Sequence, residues 1–208
     1  YETEINDFDI TNRHTPEVIS YKVTKVWNDN NNQDGIRPDS ITVNLYADGV
    51  KVDFKVLNAS NNWTYVFKNL PKYKDGGIAI KYSLVEDEVK GYTTNIPDPE
   101  ETIKETKELS TTITNTHEVE KRDLNVTKTW LDNNNKSNKR PDFINVNVFA
   151  NGNLFTQITL KKDNNWMFIL SNLDKYKDGK EILYTLEELK VNGYITSYDG
   201  YNIINTLK

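Results

Sequence analysis

The chain has 208 residues, no cysteine and a mild net charge of −5, from 26 Lys and Arg against 31 Asp and Glu. Because no basic cluster dominates, we expect no nucleic-acid partner, and the absence of a long apolar run argues against membrane contact. A chain without cysteine suits either the cytosol or an extracellular protein of a Gram-positive bacterium that avoids disulfides. The Asn- and Thr-rich loops favour the second setting.

The first residues predict a β-hairpin that ends on Ile10-Thr11-Asn12. The same pattern ends two later stretches, at 113–115 and 203–205, and the spacing from Tyr1 to Asn12 equals that from Tyr194 to Asn205. Residues 1–15 are therefore predicted to be the terminal hairpin of a preceding, truncated repeat. On this interpretation the chain is a piece of a longer array.

Two complete repeats follow, at 16–118 and 119–208, each close to the usual size of one domain. The first repeat has extra residues, Asp98 to Glu108, whose acidic, Pro-containing composition predicts a solvated loop. The register of the repeats is fixed by pairs that recur at one spacing, which include Lys25 and Lys128, Trp27 and Trp130, Arg37-Pro38 and Arg140-Pro141, and Trp63 and Trp166.

The local pattern predicts strands throughout both repeats. Residues 41–45 (Ile-Thr-Val-Asn-Leu) and 63–67 (Trp-Thr-Tyr-Val-Phe) alternate with a period of two, and turn signals such as Asp48-Gly49 break the chain every few residues. No segment has a convincing helical stripe. Short antiparallel strands at this density predict an all-β fold, with one β-sandwich in each repeat.

Strand alternation turns three polar side chains toward each predicted core. The opening strand places Lys25 on the face of Val23 and Trp27, and the closing strand places Asn115 on the face of Ile113. A third strand contributes a carboxyl group from the face that carries two apolar residues. The inward polar residues are Lys25, Glu86 and Asn115 in the first repeat, and Lys128, Glu188 and Asn205 in the second.

These inward polar residues have an ordinary interpretation and a chemical one. In the first, the Lys extends its amine to solvent, the Asn satisfies a backbone group and the Glu pairs with the Lys. In the second, burial lowers the pKa of the Lys and raises that of the Glu, so a neutral amine faces an amide that a carboxylic acid polarises. The amine then attacks the Asn carbonyl carbon and ammonia leaves. Recurrence in both repeats favours the chemical interpretation.

The sequence resembles the CnaB-type (collagen-adhesin B-region) repeat domains of Gram-positive surface adhesins. The resemblance covers nearly the whole chain and implies reverse-immunoglobulin-like sandwiches with self-formed Lys–Asn isopeptide bonds, in the stalk of a wall-anchored adhesin. It assigns the bonds Lys25–Asn115 and Lys128–Asn205, promoted by Glu86 and Glu188. The residues that carry it include Val-Thr-Lys-Val-Trp at 23–27, Val-Asn-Leu-Tyr-Ala-Asp-Gly at 43–49, Asn-Leu-Pro-Lys-Tyr at 69–73, and Ile-Thr-Asn-Thr-His at 113–117.

The second repeat departs from the family pattern in two places. Glu187 precedes Glu188, and Ile204 replaces the usual Thr. Strand parity favours Glu188 as the promoter, because Glu187 faces away from Tyr184 and Leu186.

Other candidate sites are weaker. The loop 28–35 hints at a calcium loop, but Ile41 stands where the last ligand is needed, so this loop and its counterpart at 132–137 are predicted to be solvated turns. The two histidines lack the spacing of metal ligands. Neighbouring carboxylates could suggest the catalytic pair of a glycosidase, but neighbours on one strand point in opposite directions. We expect no metal and no cofactor.

The function predicted from the sequence is that of a structural stalk module in a cell-wall-anchored surface adhesin. Isopeptide formation is a single intramolecular turnover, so the module is not an enzyme. The expected partners are neighbouring repeats of the same protein and, through other regions, a host extracellular matrix. The alternative is that the repeats themselves bind a host matrix protein or a glycan. An exposed patch of Tyr and Trp would favour that alternative.

Overall fold

The computed structural model describes residues 1–103 and 108–208 of the chain. These residues form two compact units, Tyr1–Asn31 with Ile36–Glu118, and Asn32–Gly35 with Val119–Lys208. Within the described ranges the only helices are three single 3₁₀ turns, Ala59–Asn61, Asp75–Gly77 and Lys162–Asn164. None of the helices described is long and apolar enough to cross a membrane.

The chain opens with a two-stranded antiparallel hairpin of β1 (Glu2–Asn6) and β2 (Asp9–Arg13). Every residue of the hairpin is exposed, including Phe8 at its turn. The hairpin predicted from the repeat pattern is therefore present, and it buries none of its side chains.

The first unit continues with two principal sheets. One has the order β10-β12-β3-β6, with β11 also paired to β12, and the other has the order β5-β4-β9. Strands β7 and β8 form a small separate ribbon. The strands are β3 (Val18–Asn28), β4 (Ser40–Ala47), β5 (Val50–Asn58), β6 (Thr64–Pro71), β7 (Tyr73–Lys74), β8 (Ile78–Ala79), β9 (Tyr82–Glu86), β10 (Thr93–Asn95), β11 (Glu100–Ile103) and β12 (Glu108–Thr116).

The second unit repeats this plan. Its sheets have the orders β16-β13-β21-β20 and β15-β14-β19, and β17 and β18 again form a ribbon. The strands are β13 (Lys121–Leu131), β14 (Phe143–Ala150), β15 (Asn153–Lys161), β16 (Met167–Asp174), β17 (Tyr176–Lys177), β18 (Lys180–Glu181), β19 (Tyr184–Glu188), β20 (Tyr194–Asp199) and β21 (Asn202–Leu207).

Each unit has one apolar core between its two principal sheets, built from alternate residues of the strands. Val23, Val43 and Ile113 are fully buried in the first core, and Val126, Val146 and Ile203 occupy the second. The all-β sandwich predicted from the sequence is confirmed, because each core is enclosed by inward faces with a period of two.

Two details of the fold differ from the sequence predictions. The opening and closing strands of each unit pair in parallel, β3 with β12 and β13 with β21, although antiparallel strands were predicted. The acidic insertion Asp98 to Glu108 is not simply a loop, since β11 pairs with the start of β12 within it. Residues 104–107 of that insertion lie outside the described residues.

Candidate functional site

The first unit brings the predicted lysine, asparagine and glutamate into one buried site. The parallel register places Lys25 of β3 opposite Ile113 of β12. Asn115 is two residues further along β12 and therefore shares the inward face with Lys25. Lys25, Glu86 and Asn115 are all buried, and Asn115 has no exposed surface.

Glu86 approaches this pair from the opposite sheet, because β9 pairs with β4. Its Oε1 lies 3.5 Å from Lys25 Nζ, and the two side chains are 1% and 0% exposed. Thr94 donates a 2.8 Å hydrogen bond to Glu86 Oε2. Thr94 is also directly opposite Asn115 in the β10–β12 ladder, so one threonine orients the carboxyl group beside the asparagine.

The second unit repeats the arrangement with closer contacts. Lys128 Nζ lies 3.4 Å from Glu188 Oε1, and neither side chain is exposed. Asn205 Nδ2 donates to the same Glu188 oxygen at 3.1 Å. Thr196, opposite Asn205 in the β20–β21 ladder, donates to Glu188 Oε2 at 2.6 Å. Glu187 is exposed, as its strand position predicts.

Hydrogen bonding at the two asparagines is incomplete. Among the described residues, Asn115 Nδ2 and Oδ1 and Asn205 Oδ1 are buried without a hydrogen-bond partner. Buried polar atoms are normally paired, and an unpaired one costs about 1–3 kcal/mol. The Asn115 carboxamide is therefore held in the core with neither polar atom paired, and that of Asn205 with only its nitrogen paired.

Burial makes both amines weaker bases. Desolvation lowers the pKa of Lys25 and of Lys128 to about 8, from an ordinary value of 10.5, against the opposing charges of Glu86 and Glu188. About a tenth of each amine is therefore neutral and nucleophilic at pH 7, against far less than a hundredth at the ordinary pKa. The geometry can support attack by the amine on the neighbouring amide.

A second polar cluster, which was not predicted from the sequence, lies beside each site. Asp29 accepts two hydrogen bonds from Arg37, at 2.8 and 2.5 Å, and a third from Tyr92 Oη at 2.8 Å. Asp132 is bound in the same way by Arg140, at 3.0 and 2.6 Å, and by Tyr194 at 3.0 Å. The recurrence of Arg-Pro and Gly-Tyr at equivalent positions in both repeats was the sequence signal for this cluster.

The prediction that loops 28–35 and 132–137 are solvated turns is wrong for their anchoring residues. Asp29 and Asp132 are 2% exposed, because each carboxylate is enclosed by an arginine and a tyrosine. The part of the chain that the structure describes has no group of three His, Cys, Asp or Glu residues that could hold a metal ion.

Comparison with known proteins gives matches in both units. The sequence profile of the Cna protein B-type domain matches residues 21–116 and 124–206. The collagen adhesin of Staphylococcus aureus is 40% identical over the whole of this chain, which spans 17% of that protein. The crystal structure of two B repeat units of the S. aureus collagen binding protein matches 99% of this chain and 53% of its own chain. That match has 39% identity and a TM-score of 0.75.

Proposed function

Because the chain belongs to the Cna protein B-type domain family, we propose that each unit forms its own Lys–Asn isopeptide bond. Lys25 joins Asn115 in the first unit, and Lys128 joins Asn205 in the second. Together the units act as a structural stalk module of a cell-wall-anchored adhesin, which projects a ligand-binding region from a Gram-positive cell surface.

The proposed reaction is a transamidation. The neutral lysine Nζ attacks the asparagine Cγ, a Cγ–Nζ bond forms, and the Cγ–Nδ2 bond breaks. One proton moves from the lysine nitrogen to the departing nitrogen, which leaves as ammonia. No oxidant or other co-reactant is needed, and the bond forms once per unit. Amides are poor electrophiles in water, so the rate depends on holding the two groups together within the core.

Glu86 and Glu188 act as the proton-transfer groups in this proposal. Each carboxyl group contacts its lysine amine and is oriented by a threonine, Thr94 or Thr196. In the second unit the same carboxyl oxygen also contacts the Asn205 carboxamide. From that position the carboxyl group can pass the proton from the Lys128 nitrogen to the departing Asn205 nitrogen.

The observation that carries the proposal is the convergence of all three groups in two independent cores. An unreacted lysine, glutamate and asparagine in an apolar interior cost free energy through desolvation and unpaired polar atoms. Conversion to a neutral amide removes the buried ammonium and uses the asparagine carbonyl. The arrangement is thus more favourable after the reaction than before it.

The stalk role follows from where the bonds lie. Each bond joins the opening strand of a unit to its closing strand, which pair in parallel. A force that pulls on the two ends of a unit therefore meets a covalent link before it separates these strands. All four tryptophans pack against a core, so no tryptophan contributes to the exposed Tyr and Trp patch that would favour binding of a host matrix protein or glycan; Tyr73 and Tyr198 are the exposed tyrosines of the two units' strands.

Intact-mass measurement of the denatured protein tests the proposal. We expect the wild-type mass to be lower than the sequence mass by two ammonia molecules. Lys25→Met and Lys128→Met each restore one ammonia, and the double variant restores both. Tandem mass spectrometry of a digest should find Lys25 linked to Asn115 and Lys128 linked to Asn205. A wild-type mass equal to the sequence mass would contradict the proposal, as would links between other residues.

A further inference from the structure

A tryptophan ring covers the lysine amine in both units. Lys25 Nζ lies 4.2 Å from the ring centroid of Trp27, and Lys128 Nζ lies 4.3 Å from that of Trp130. Each tryptophan follows its lysine by two residues on the same strand and therefore shares its face. Both rings are half-buried, whereas the amine-bearing side chains beneath them have no exposed surface.

Two further aromatic rings fix the position of each indole. Trp63 and Tyr92 meet Trp27 edge-on with centroids 5.2 and 5.0 Å away. Trp166 and Tyr194 meet Trp130 in the same way at 5.1 and 5.0 Å. Edge-to-face contacts of this kind are specific in geometry, so the same ring orientation is built twice.

The Asp–Arg–Tyr cluster holds this aromatic group in place. The Arg37 guanidinium lies 5.5 Å from the centroid of Trp27, and that of Arg140 lies 5.2 Å from Trp130. Each guanidinium is held by two hydrogen bonds to a buried aspartate, which also accepts from the tyrosine that contacts the indole. The ring, the tyrosine and the arginine are thus tied to one carboxylate.

Keeping the indole in this position costs stability. Among the described residues, Nε1 of Trp27 and of Trp130 is buried without a hydrogen-bond partner. The loop after each aspartate has three consecutive asparagines with positive φ, at 30–32 and 133–135, a conformation that asparagine adopts more readily than most other L-residues. Asp132 caps its loop by accepting from Asn135 N at 3.0 Å. The same unpaired indole nitrogen recurs in both units, although burial without a hydrogen-bond partner is unfavourable.

We propose that Trp27 and Trp130 are positioning residues that close the reacting amine off from water, and that the Asp29–Arg37 and Asp132–Arg140 pairs hold them closed. This inference rests on the isopeptide reaction proposed above and adds to each site one tryptophan, which we call the lid, and one Asp–Arg pair, which we call the clamp. The indole takes no part in proton transfer or bond formation.

The chemical effect of the ring is to keep the amine dehydrated. An indole face by itself favours the ammonium form, but burial has the larger effect, because desolvation is the main cause of the low pKa of both lysines. Opening the ring admits water and returns the pKa from about 8 toward 10.5. The neutral fraction near neutral pH then falls by roughly 300-fold, since each pKa unit is a factor of ten.

The test changes the second unit and keeps the first as an internal reference. We expect freshly purified Trp130→Ala at neutral pH to lack one ammonia rather than two. On transfer to higher pH it should lose the second ammonia at a rate that rises about tenfold per pH unit, up to the ordinary lysine pKa. Arg140→Met keeps the indole and frees it, and should slow the same step less strongly with the same pH dependence.

A matched control distinguishes the effect of losing the lid from the effect of a general loss of stability. Leu160→Ala removes a fully buried side chain of β15, a strand that carries none of the reacting groups. It should destabilise the second unit and leave bond formation fast at neutral pH. Hydrogen exchange of the β13 amides shows which variants are folded. If Trp130→Ala does not fold, Arg140→Met takes its place in the test.

Three results would contradict the proposed role of the lid. They are a full loss of two ammonia molecules at neutral pH in Trp130→Ala and Arg140→Met, a slowed reaction whose rate does not change with pH, and equal slowing by Leu160→Ala. Failure of the isopeptide reaction itself is recognised separately, because the wild-type protein then keeps both ammonia molecules, and the lid proposal is lost with it.

Discussion

Lys128 and Glu188 meet in the interior of the second unit with Nζ and Oε1 3.4 Å apart and with neither side chain exposed. Such a pair is weak evidence for stability, because desolvation of two charges offsets much of their attraction. A structural role alone would be served as well by apolar residues. The same contact is useful if the amine and the carboxyl group exchange a proton and the amine is then consumed.

The first prediction concerns the stability that the bond supplies. Lys128→Met and Asn205→Ala each prevent the proposed bond of the second unit, and both should lower its free energy of unfolding by about 4 kcal/mol, since the proposed bond closes a long loop. The corresponding fall in Tm is on the order of 20 °C for a domain of this size. Scanning calorimetry should show the first unit unchanged. Two variants that unfold within a few degrees of wild type would contradict a stabilising bond.

The second prediction concerns pH. In Asn205→Ala the amine of Lys128 stays unreacted, and its pKa is about 8 in the folded unit against 10.5 when unfolded. Between these values the unfolded chain binds more protons, so stability rises with pH across the window. The contribution is complete above about 10.5 and is lost as the pH falls through about 8. Denaturant unfolding on both sides of the window measures it.

The control for the pH prediction is the double variant Lys128→Met with Asn205→Ala. Tyrosines with raised pKa also titrate at high pH, but they contribute equally to both proteins. The difference between the two stability curves therefore isolates Lys128. If that difference does not change across the window, the amine is not buried as the structure describes.

The third prediction distinguishes two adjacent carboxylates. Glu188→Ala should leave a folded second unit that keeps its ammonia, because the group that contacts both Lys128 and Asn205 is gone. Glu187→Ala is the matched control and should react fully, since Glu187 faces solvent. Intact mass and near-ultraviolet circular dichroism check reaction and folding. Full reaction in Glu188→Ala would assign the proton transfer to another group.

Strand alternation was sufficient to predict which polar residues face the core. Lys25, Glu86 and Asn115 each lie two residues from a buried apolar residue, so a period of two places them without tertiary information. The parallel pairing of β3 with β12 was not predictable in this way, because alternation is the same for either direction of pairing.

The recurrence of Arg-Pro and Gly-Tyr marks the clamp residues, but local sequence does not show that they meet at a buried aspartate. Asp29 stands at the start of an Asn-rich loop, where local composition predicts hydration. Its burial depends on Arg37 and Tyr92, which reach it from other segments of the chain. Likewise, nothing in the sequence of β10 distinguishes Thr94. It orients the Glu86 carboxyl group only because Glu86 points across the core toward it.

The last prediction concerns Asn12 in the exposed hairpin. Thr3 is opposite Asn12 in the β1–β2 ladder and donates to its Oδ1 at 2.7 Å. This Thr–Asn pair matches the pairs at Asn115 and Asn205. The hairpin is thus an additional copy of a closing hairpin, and in principle it competes with β12 for the place beside Lys25.

We expect Asn12 to stay unreacted, because the covalently attached β12 has the far higher effective concentration at that place. Asn12→Ala should therefore leave the loss of ammonia unchanged. Asn115→Ala removes the local acceptor and gives the hairpin of a second molecule its best opportunity, so it is the sensitive background for the test. A covalent dimer of the wild-type protein on a denaturing gel, abolished by Asn12→Ala, would show that strand exchange competes with the local strand.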